Sequence, residues 1–331
     1  MNLGQKGVFW FTDALNPAQL IELVQRTEQL GYSACVPGYE SFALGSFLLG
    51  HTKNLIIASG IANIYGRDAT ATKQGQHSLT KLYGDRFLLG LGVSHVPLVK
   101  DARGHQYRRP VSTMRAYLDS LDKAVAIAPT VDEPPPMVLA ALGPRMTALA
   151  GARTDGAFPY NVTPEHTAQA RAIIGPDKWL CVEQKVLLLT DPAKVGELAR
   201  QAMAFYLPLT DYRANWQRLG FSDQDMAGGG SDRFLDAMVA WGNETAIRQR
   251  IQAHFDAGRV TSAFGRCTRT GNRCRTSTRW RRWPRSRVRC KDEWQDRPGG
   301  RWCYPHPAVA RSRTPPLRSP TSSAKAAEEG G

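Results

Sequence analysis

The stretch Tyr83–His95 limits the fold of this chain more than any other segment. Its centre, Phe87–Gly92, is an unbroken run of apolar residues and glycines, with the turn formers Gly84 and Asp85 before it. A run this short between turn formers predicts a strand that is buried on both faces, as in a parallel sheet. The glycines at its carboxyl end would leave room for a flat ligand. His95 would then stand at the rim of a barrel of parallel strands, where chemistry takes place in such folds.

Short apolar runs alternate with segments of helical periodicity along the first 258 residues. The run in Lys6–Phe11, for example, precedes Pro17–Leu30, where apolar side chains recur at helical spacing. Further strands are predicted at 34–36, 55–60, 87–92, 137–141, 156–159 and 181–189. This alternation predicts an α/β fold with a parallel sheet and outer helices. We therefore expect a (β/α)8 barrel, usually roughly 250 residues long, that still needs an eighth strand after Gly258.

Three sequence blocks follow one another in an order that resembles a known family. They are Ile56–Asp68, Tyr83–His95 and Leu139–Met146. Together they resemble the bacterial luciferase-like monooxygenase superfamily, and most of all its actinobacterial branch, which uses the deazaflavin coenzyme F-420. The resemblance covers Gly7–Gly258. It implies a luciferase-like TIM barrel and an oxidoreductase or monooxygenase that uses coenzyme F-420, with FMN as the alternative cofactor.

The resemblance also implies which residues hold the cofactor ring. A cis peptide bond between Gly60 and Ile61 would support the ring, whereas the simpler interpretation of Gly60 is close packing against a helix. Asn63 and Arg67 would contact the cofactor, as would Ser94 at the rim. For Arg67, a surface arginine beside a helix-capping aspartate is an equally good interpretation.

The junction Leu142-Gly143-Pro144-Arg145 is the predicted site of the cofactor phosphate. It joins a strand to a helix, so free backbone amides point outward beside a guanidinium, and both groups favour a phosphate. The resemblance places the phosphate at the same four residues.

Four side chains are candidates for the chemistry and for substrate contacts. His95 is the predicted catalytic residue, because a neutral imidazole at the rim can bond the cofactor or the substrate and move a proton near pH 7. A structural histidine is the alternative. Tyr160 and Asn161, which follow the sixth strand, and His105, in the polar connector, are predicted to line the substrate side of the pocket.

The last 73 residues differ in composition from the rest of the chain. Residues 259–331 hold 18 of the 43 Lys and Arg but only 5 of the 29 Asp and Glu, so they carry +13 of the net charge of +14. When Arg279–Pro284 is read from the third base of each codon, the genetic code allows Leu-Ala-Ala-Leu-Ala-Pro, which has the pattern of an amphipathic helix. We therefore interpret 1–258 as the barrel and 259–331 as a frame-shifted, disordered tail that replaces the eighth strand and helix.

Other interpretations of the tail are nucleic-acid binding through its arginines and tryptophans and metal binding through its cysteines. The cysteine spacings do not match the short paired spacings of zinc sites, and we expect neither a metal nor nucleic acid as a partner. If Val260–Phe264 pairs with the sheet, it would act as a makeshift eighth strand.

The partners expected for the barrel follow from its composition and from the resemblance. Cys35 and Cys181 are isolated thiols that suggest a reducing compartment, and no apolar run is long enough to cross a bilayer. We expect a cytoplasmic enzyme, not bound to a membrane, that acts on a small organic molecule by hydride transfer or oxygenation and that could form a homodimer. The alternatives are an inactive cofactor-binding paralogue and an unstable product of the shifted gene.

Overall fold

Parallel strands and helices alternate along the chain in the computed structural model, which describes residues 1–4, 6–12, 15–36, 40–127, 129–258 and 261–267, with backbone alone for 34–36 and 261–267. The strands are β1 Lys6–Phe9, β2 Ala34–Val36, β3 Ile56–Ala58, β4 Ala62–Asn63, β5 Phe87–Gly92, β6 Met137–Leu139, β7 Gly156–Ala157, β8 Trp179–Leu187, β9 Val239–Trp241 and β10 Thr261–Cys267. The helices are α1 Pro17–Gln29, α2 Ser41–Gly50, α3 Ala69–Tyr83, α4 Pro110–Lys123, α5 Pro144–Arg153, α6 Pro164–Ile174, α7 Pro192–Met203, α8 Thr210–Arg218, α9 Asp232–Met238 and α10 Glu244–Asp256.

All pairings between these strands are parallel. The order runs β1, β2, β3, β5, β6, β7, β8, and strand β10 pairs with both β8 and β1, so the pairings return to their start. The two short strands β4 and β9 add to β5 and β8 respectively. The predicted α/β fold with a parallel sheet is therefore confirmed.

Side chains on the two faces of the sheet pack into two different cores. Those on the face away from the outer helices form a single cluster, which includes Phe9, Ile56, Leu88, Val138, Phe158 and Cys181. The neighbouring positions, among them Ile57, Leu89, Leu139, Leu180 and Val182, pack against the outer helices. Strands β3 and β5 are buried at every position and consist of apolar residues and glycine, as expected for strands covered on both faces. This explains why these strands read as continuous apolar runs.

The helices begin at capping residues that the sequence places directly before them. Asn16 Oδ1 accepts a bond from Gln19 N, and the Asn16 backbone N–H donates to Gln19 Oε1, which together form the capping box of α1. Asp68 accepts a bond from Ala71 N at the start of α3. Thr163 and Asn243 cap α6 and α10 in the same way. The interpretation of Asp68 as a helix cap is confirmed.

Four elements were absent from the sequence prediction: helix α6, the short strands β4 and β9, and a π-helical turn. Helix α6 lies between the sixth and seventh predicted strands, and its inner face is formed by Thr167, Ala170 and Ile174, which give too weak an apolar period to be recognised. A single π-helical turn, Pro97–Asp101, lies in the segment predicted as an irregular connector.

Strand β10 lies in the segment that the sequence assigned to the tail. Its backbone pairs Ala263 with Lys6 and Thr261 with Cys181. The predicted makeshift strand is confirmed for 261–264 and extends to Cys267, while Val260 and residues 268–331 lie outside the described residues. The first residues of the predicted tail thus supply the strand that the barrel needed.

None of the helices in the described part of the chain combines the length and the apolar character needed to span a bilayer.

Candidate active site

The junction between β3 and β5 contains the cis peptide bond that the resemblance implied. The bond joins Gly60 to Ile61, directly after β3. A Cβ on Gly90 would overlap the carbonyl oxygen of Ser59, and a Cβ on Gly92 would lie 2.7 Å from Cδ1 of Ile61. The expectation that these glycines leave room for a flat ligand is therefore wrong, because the chain around the cis bond fills the space beside them.

Ser94 and His95 follow β5 at the carboxyl-end face of the sheet. Ser94 adopts a left-handed backbone conformation with φ 59°, which turns the chain out of the strand. His95 Nδ1 lies 3.8 Å from Oδ2 of Asp211, and the two side chains are 20% and 40% exposed. The Tyr107 hydroxyl donates to Asp211 Oδ2 at 3.1 Å and also lies 3.3 Å from the Ser94 carbonyl oxygen. A histidine, a carboxylate and a phenol thus meet at the predicted catalytic position.

The protonation of this group follows from its contacts. The pKa of Asp211 lies below its ordinary value because the His95 imidazole and the Tyr107 hydroxyl favour the carboxylate more than burial opposes it. Burial, together with the Asp211 charge, raises the pKa of Tyr107. Asp211 is therefore ionised near neutral pH, while Tyr107 keeps its proton and remains a hydrogen-bond donor.

A row of aromatic rings connects His95 with the start of the chain. The ring of His95 lies 5.3 Å from that of Tyr212, and Tyr206 lies 5.2 Å from Tyr212 and 5.4 Å from Tyr160. Tyr160 in turn lies 5.3 Å from Phe9. We call His95, Tyr212, Tyr206, Tyr160 and Phe9 the aromatic arc. It connects two predicted site residues, His95 and Tyr160, through one continuous series of ring contacts.

Asn161 lies beneath this arc and not on its surface. It is 1% exposed, it has φ 55°, and its Oδ1 accepts a bond from the ammonium group of Lys185. Its backbone N–H lies 3.4 Å from Glu183 Oε2, and its carbonyl accepts from Trp216 Nε1 at 3.1 Å. The prediction that its side chain lines the pocket finds no support, because the side chain belongs to a buried polar network.

The predicted phosphate junction forms the amino end of α5. Gly143 is its N-cap without a side-chain hydrogen bond, Pro144 is in the first turn, and Arg145 is exposed. The carbonyl oxygen of Leu142 lies 2.9 Å from His166 Nε2, so this carbonyl has a hydrogen-bond partner at the junction. Burial, and the nearby Arg218 charge, lower the pKa of His166.

Arg218 adds a second positive charge to this junction. A Cβ on Gly143 would lie 3.5 Å from Nη2 of Arg218, and the only side-chain acceptor that the described residues offer this guanidinium is Oδ1 of Asn215, at 3.1 Å. None of the ion pairs found among the described residues includes Arg145 or Arg218. Two arginines without carboxylate partners beside a helix amino end fit an anionic group such as a phosphate.

The other predicted contacts lie in the loops that follow β3 and β5. Asn63, in the short strand β4, pairs with Gly92 of β5, and the Asn63 Oδ1 accepts a hydrogen bond from Tyr65 N at 2.9 Å. Arg67 bonds Glu40 at 3.0 Å through Nη2, and its guanidinium lies 4.7 Å from the centre of the Phe42 ring. The exposed His105 lies 5.8 Å from the Tyr65 ring.

Several buried polar atoms that follow strands at the carboxyl-end face have no hydrogen-bond partner among the described residues, including Nε1 of Trp10 after β1, the hydroxyl of Tyr65 after β4, Nδ1 of His95 after β5 and Nδ2 of Asn161 after β7. Such groups normally find a partner. A cofactor with ring carbonyls and a phosphate therefore fits this face, since the ring would meet unpaired donors and the phosphate would meet the amino end of α5.

Sequence reasoning missed Tyr107, Asp211, Arg218 and Lys185. Tyr107 lies in a connecting segment without a motif, and Asp211 has the sequence signature of an ordinary acidic residue in the first turn of a helix, α8. Glu183 and Lys185 carried a usable signal, because opposite charges two residues apart in an apolar strand point to the same side of the sheet.

Comparisons with known proteins agree with this architecture. A protein of Mycobacterium tuberculosis named for coenzyme F-420-dependent oxidoreductase activity is 26% identical over 123 residues, which are 36% of this chain and 35% of that protein. The match to that curated relative thus spans about a third of its length.

Two solved structures share the fold at low sequence identity. An F-420-dependent secondary alcohol dehydrogenase in complex with an F-420-acetone adduct has a TM-score of 0.65 and 13% identity, with 80% of this chain and 93% of that chain covered. The oxygenating constituent of 3,6-diketocamphane monooxygenase from the CAM plasmid of Pseudomonas putida, in complex with FMN, has a TM-score of 0.59 and 12% identity, covering 79% and 92%.

The family model described as luciferase-like monooxygenase matches residues 5–261, which is most of the chain and includes every candidate site residue. The chain belongs to the luciferase-like monooxygenase family.

Proposed function

We propose that this protein is an oxidoreductase that binds coenzyme F-420, or FMN as the alternative, across the carboxyl-end face of its sheet and acts on a small organic substrate by hydride transfer or oxygenation. The observation that carries the proposal is the amino end of α5, where Arg145 and Arg218 have no carboxylate partner in the described part of the chain. Membership of the family and the relatives named for F-420 and FMN support the same interpretation.

Under this proposal, each group of residues on the carboxyl-end face of the sheet has its own role. The backbone amides of Gly143 and the first turn of α5, with Arg145 and Arg218, would hold the phosphate, and the aromatic arc would exclude water from the reacting centre. A bound deazaflavin or flavin would supply the hydride or oxygen chemistry. His95 would bond the substrate or the ring edge and exchange a proton with it, as a rim imidazole can near neutral pH. Ser94, Gly60, Ile61, Asn63 and Arg67 are proposed to contact the cofactor, and Tyr160 and His105 the substrate.

Titration with both cofactors tests the main proposal. We expect coenzyme F-420 to bind more tightly than FMN, measured by quenching of fluorescence, because the sequence blocks are most similar to the deazaflavin-dependent branch. Tighter binding of FMN would reverse the choice of cofactor and leave the site in place. Absence of binding by either cofactor would contradict the proposed function, and an inactive cofactor-binding paralogue would bind without turnover.

Two single variants test the anion site. Arg145→Ala and Arg218→Ala should each weaken cofactor binding by roughly 10- to 100-fold, since a charge-assisted contact is worth about 1.5–3 kcal/mol. The matched control is Arg233→Ala, which removes an exposed arginine that is paired with Asp225. For Arg145, the loss should exceed that from truncating the far tail of the cofactor. Unchanged affinity in both variants would remove the phosphate assignment.

The assembly and the location of the protein are further proposals. A homodimer is supported by three large apolar side chains at the surface, Leu82, Val125 and Ile127, which are 69%, 74% and 81% exposed. Sedimentation at two protein concentrations tests it. A cytoplasmic location is supported by the few, widely separated cysteines of residues 1–258, Cys35 and Cys181, which suggest a reducing compartment.

We also propose that 1–258 is the family domain and that 259–331 is out-of-frame translation. The end of the family match at residue 261 supports this division. The nucleotide sequence around Gly258 tests this division directly. If the correction of a single inserted or deleted base there gives a reading frame that encodes the final helix of the family, the division is supported.

A further inference from the structure

We propose that Asp211, with the help of Tyr107, positions His95 by holding its imidazole as the Nδ1–H tautomer, so that Nε2 is the nitrogen that exchanges a proton with the substrate. The inference rests on the proposed function, which gives His95 the proton-transfer role. Asp211 itself touches neither cofactor nor substrate in this scheme, and it acts through the imidazole.

The two ring nitrogens of His95 lie in different surroundings. Nδ1 is buried, without a hydrogen-bond partner among the described residues, and the nearest charged atom is Oδ2 of Asp211 at 3.8 Å. Nε2 makes no hydrogen bond within the described residues and is not among their buried atoms without a partner, so it contributes to the 20% exposure of the side chain. A carboxylate can only accept a hydrogen bond, so the ring nitrogen that faces it is the one that carries the proton in a neutral imidazole.

Tyr107 holds the Asp211 carboxylate in position beside the His95 imidazole. Its hydroxyl donates to Asp211 Oδ2 at 3.1 Å and lies 3.3 Å from the carbonyl oxygen of Ser94, the residue before His95. One phenol therefore ties α8 to the loop that carries the histidine. The hydroxyl also satisfies part of the carboxylate, which would otherwise lose hydration in a half-buried position.

An ordinary helix-terminal role does not account for Asp211. It lies in the first turn of α8, yet α8 has no side-chain cap, and in the described part of the chain its oxygens bond Tyr107 and approach His95, not the backbone of its own helix. The remaining neighbour of the imidazole is the ring of Tyr212, 5.3 Å away. Asp211 is thus the one charged group that the described residues bring within ion-pair distance of His95.

The tautomer can be measured without cofactor or substrate. Protein with nitrogen-15 in its histidines is studied by two-bond proton–nitrogen correlation near pH 8, and the His95 signals are assigned by their absence in His95→Gln. We expect the Nδ1–H form in the wild type, a shift to the Nε2–H form in Asp211→Ala, and recovery of Nδ1–H in Asp211→Glu. Asp232→Ala, which removes an 87% exposed aspartate of α9, should leave the tautomer unchanged.

A wild-type His95 in the Nε2–H form would overturn the inference, as would a tautomer that stays the same in Asp211→Ala. If Asp211→Ala does not fold, the His95 tautomer is measured in the wild type and in Tyr107→Phe instead. The inference predicts that Tyr107→Phe reduces the Nδ1–H population of His95. Titration with coenzyme F-420 separates this result from the proposed function. The wild type should bind the cofactor through the two arginines of the anion site, whichever nitrogen of His95 carries the proton. Failure of the wild type to bind would count against the proposed function alone.

Discussion

The ammonium group of Lys185 lies 3.3 Å from both carboxylate oxygens of Glu183, and the two side chains are only 2% and 0% exposed. Both belong to β8, two residues apart, so they project to the same side of the sheet. The ammonium also lies 4.1 Å from the centre of the Tyr160 ring and bonds Asn161. A desolvated ion pair therefore supports one end of the aromatic arc from below.

Lys185→Met should be one of the most destabilising single substitutions in the barrel. It leaves the Glu183 carboxylate buried without its counter-charge, which typically costs about 3–5 kcal/mol. The exposed pair between Lys194 and Glu197 supplies the control, since Lys194→Met should change the free energy of unfolding by no more than about 1 kcal/mol. Urea denaturation measures both.

The double variant Glu183→Leu/Lys185→Met extends this test. Replacing a whole buried pair by apolar side chains is often neutral, so the double variant should recover most of the stability that Lys185→Met loses. A double variant that is as unstable as the single one would show that packing, and not the unpaired charge, explains the loss.

Gly90→Ala should also destabilise the protein, for a steric reason. The added methyl group would overlap the carbonyl oxygen of Ser59, a backbone atom that cannot rotate away. We expect a loss of about 3 kcal/mol, at the upper end of the usual cost of overpacking. In Gly50→Ala of α2, by contrast, the methyl group would lie 3.5 Å from the Tyr83 hydroxyl, an ordinary contact, so stability should be kept or slightly raised. Equal thermal melts for the two variants would contradict this account.

Glu28 should give the protein a pH-dependent contribution to stability. One of its carboxylate oxygens accepts bonds from the backbone N–H groups of Lys53, Asn54 and Leu55 at 3.0, 2.6 and 2.8 Å. Burial favours the neutral acid, but these three bonds and the Arg86 charge outweigh it, so the pKa of Glu28 is lowered. A lowered pKa stabilises the fold above the unfolded pKa of about 4.3, and the contribution is lost as the pH falls through the folded value.

Glu28→Gln should therefore cost about 1–2 kcal/mol at pH 7, and the difference from the wild type should shrink below about pH 4. Glu22→Gln, at an exposed position of the same helix, is the control and should show neither effect. The test is to measure the free energy of unfolding of the wild type and of both variants across this pH range. A difference that grows toward acid pH would contradict the assignment.

The sequence predicted the fold well because most of the predicted strands are short apolar runs, and this signal is local. The cis bond at Gly60-Ile61 and the proximity of His95 to the rim followed from the resemblance and from the position after β5. Asp211 could not be predicted as a partner of His95, because 115 residues of folded chain separate them and no motif marks the contact. Asn161 failed for a related reason, since its role depends on Lys185, whose burial only the closed sheet reveals.

Restoring the reading frame should stabilise the protein. The gain should not come from pairing open edges of the sheet. Strand β10 pairs with β1 and β8, so the described sheet has a strand at the eighth position. What the written sequence does not supply after this strand is the apolar helical pattern that the shifted frame would encode. The gain should therefore come from the helix and from the apolar surface that it covers.

We expect a restored-frame chain to exceed the written chain by about 3 kcal/mol or more in unfolding free energy, the value of burying two large aliphatic side chains. Thermal melts and limited proteolysis compare the restored chain, the written chain and a version that ends after Cys267. Deleting residues 268–331 should leave the melting temperature unchanged, because the frame-shift hypothesis gives them no structural role. If protease spares those residues and their deletion lowers the melting temperature, they form a folded element and the frame-shift hypothesis is wrong.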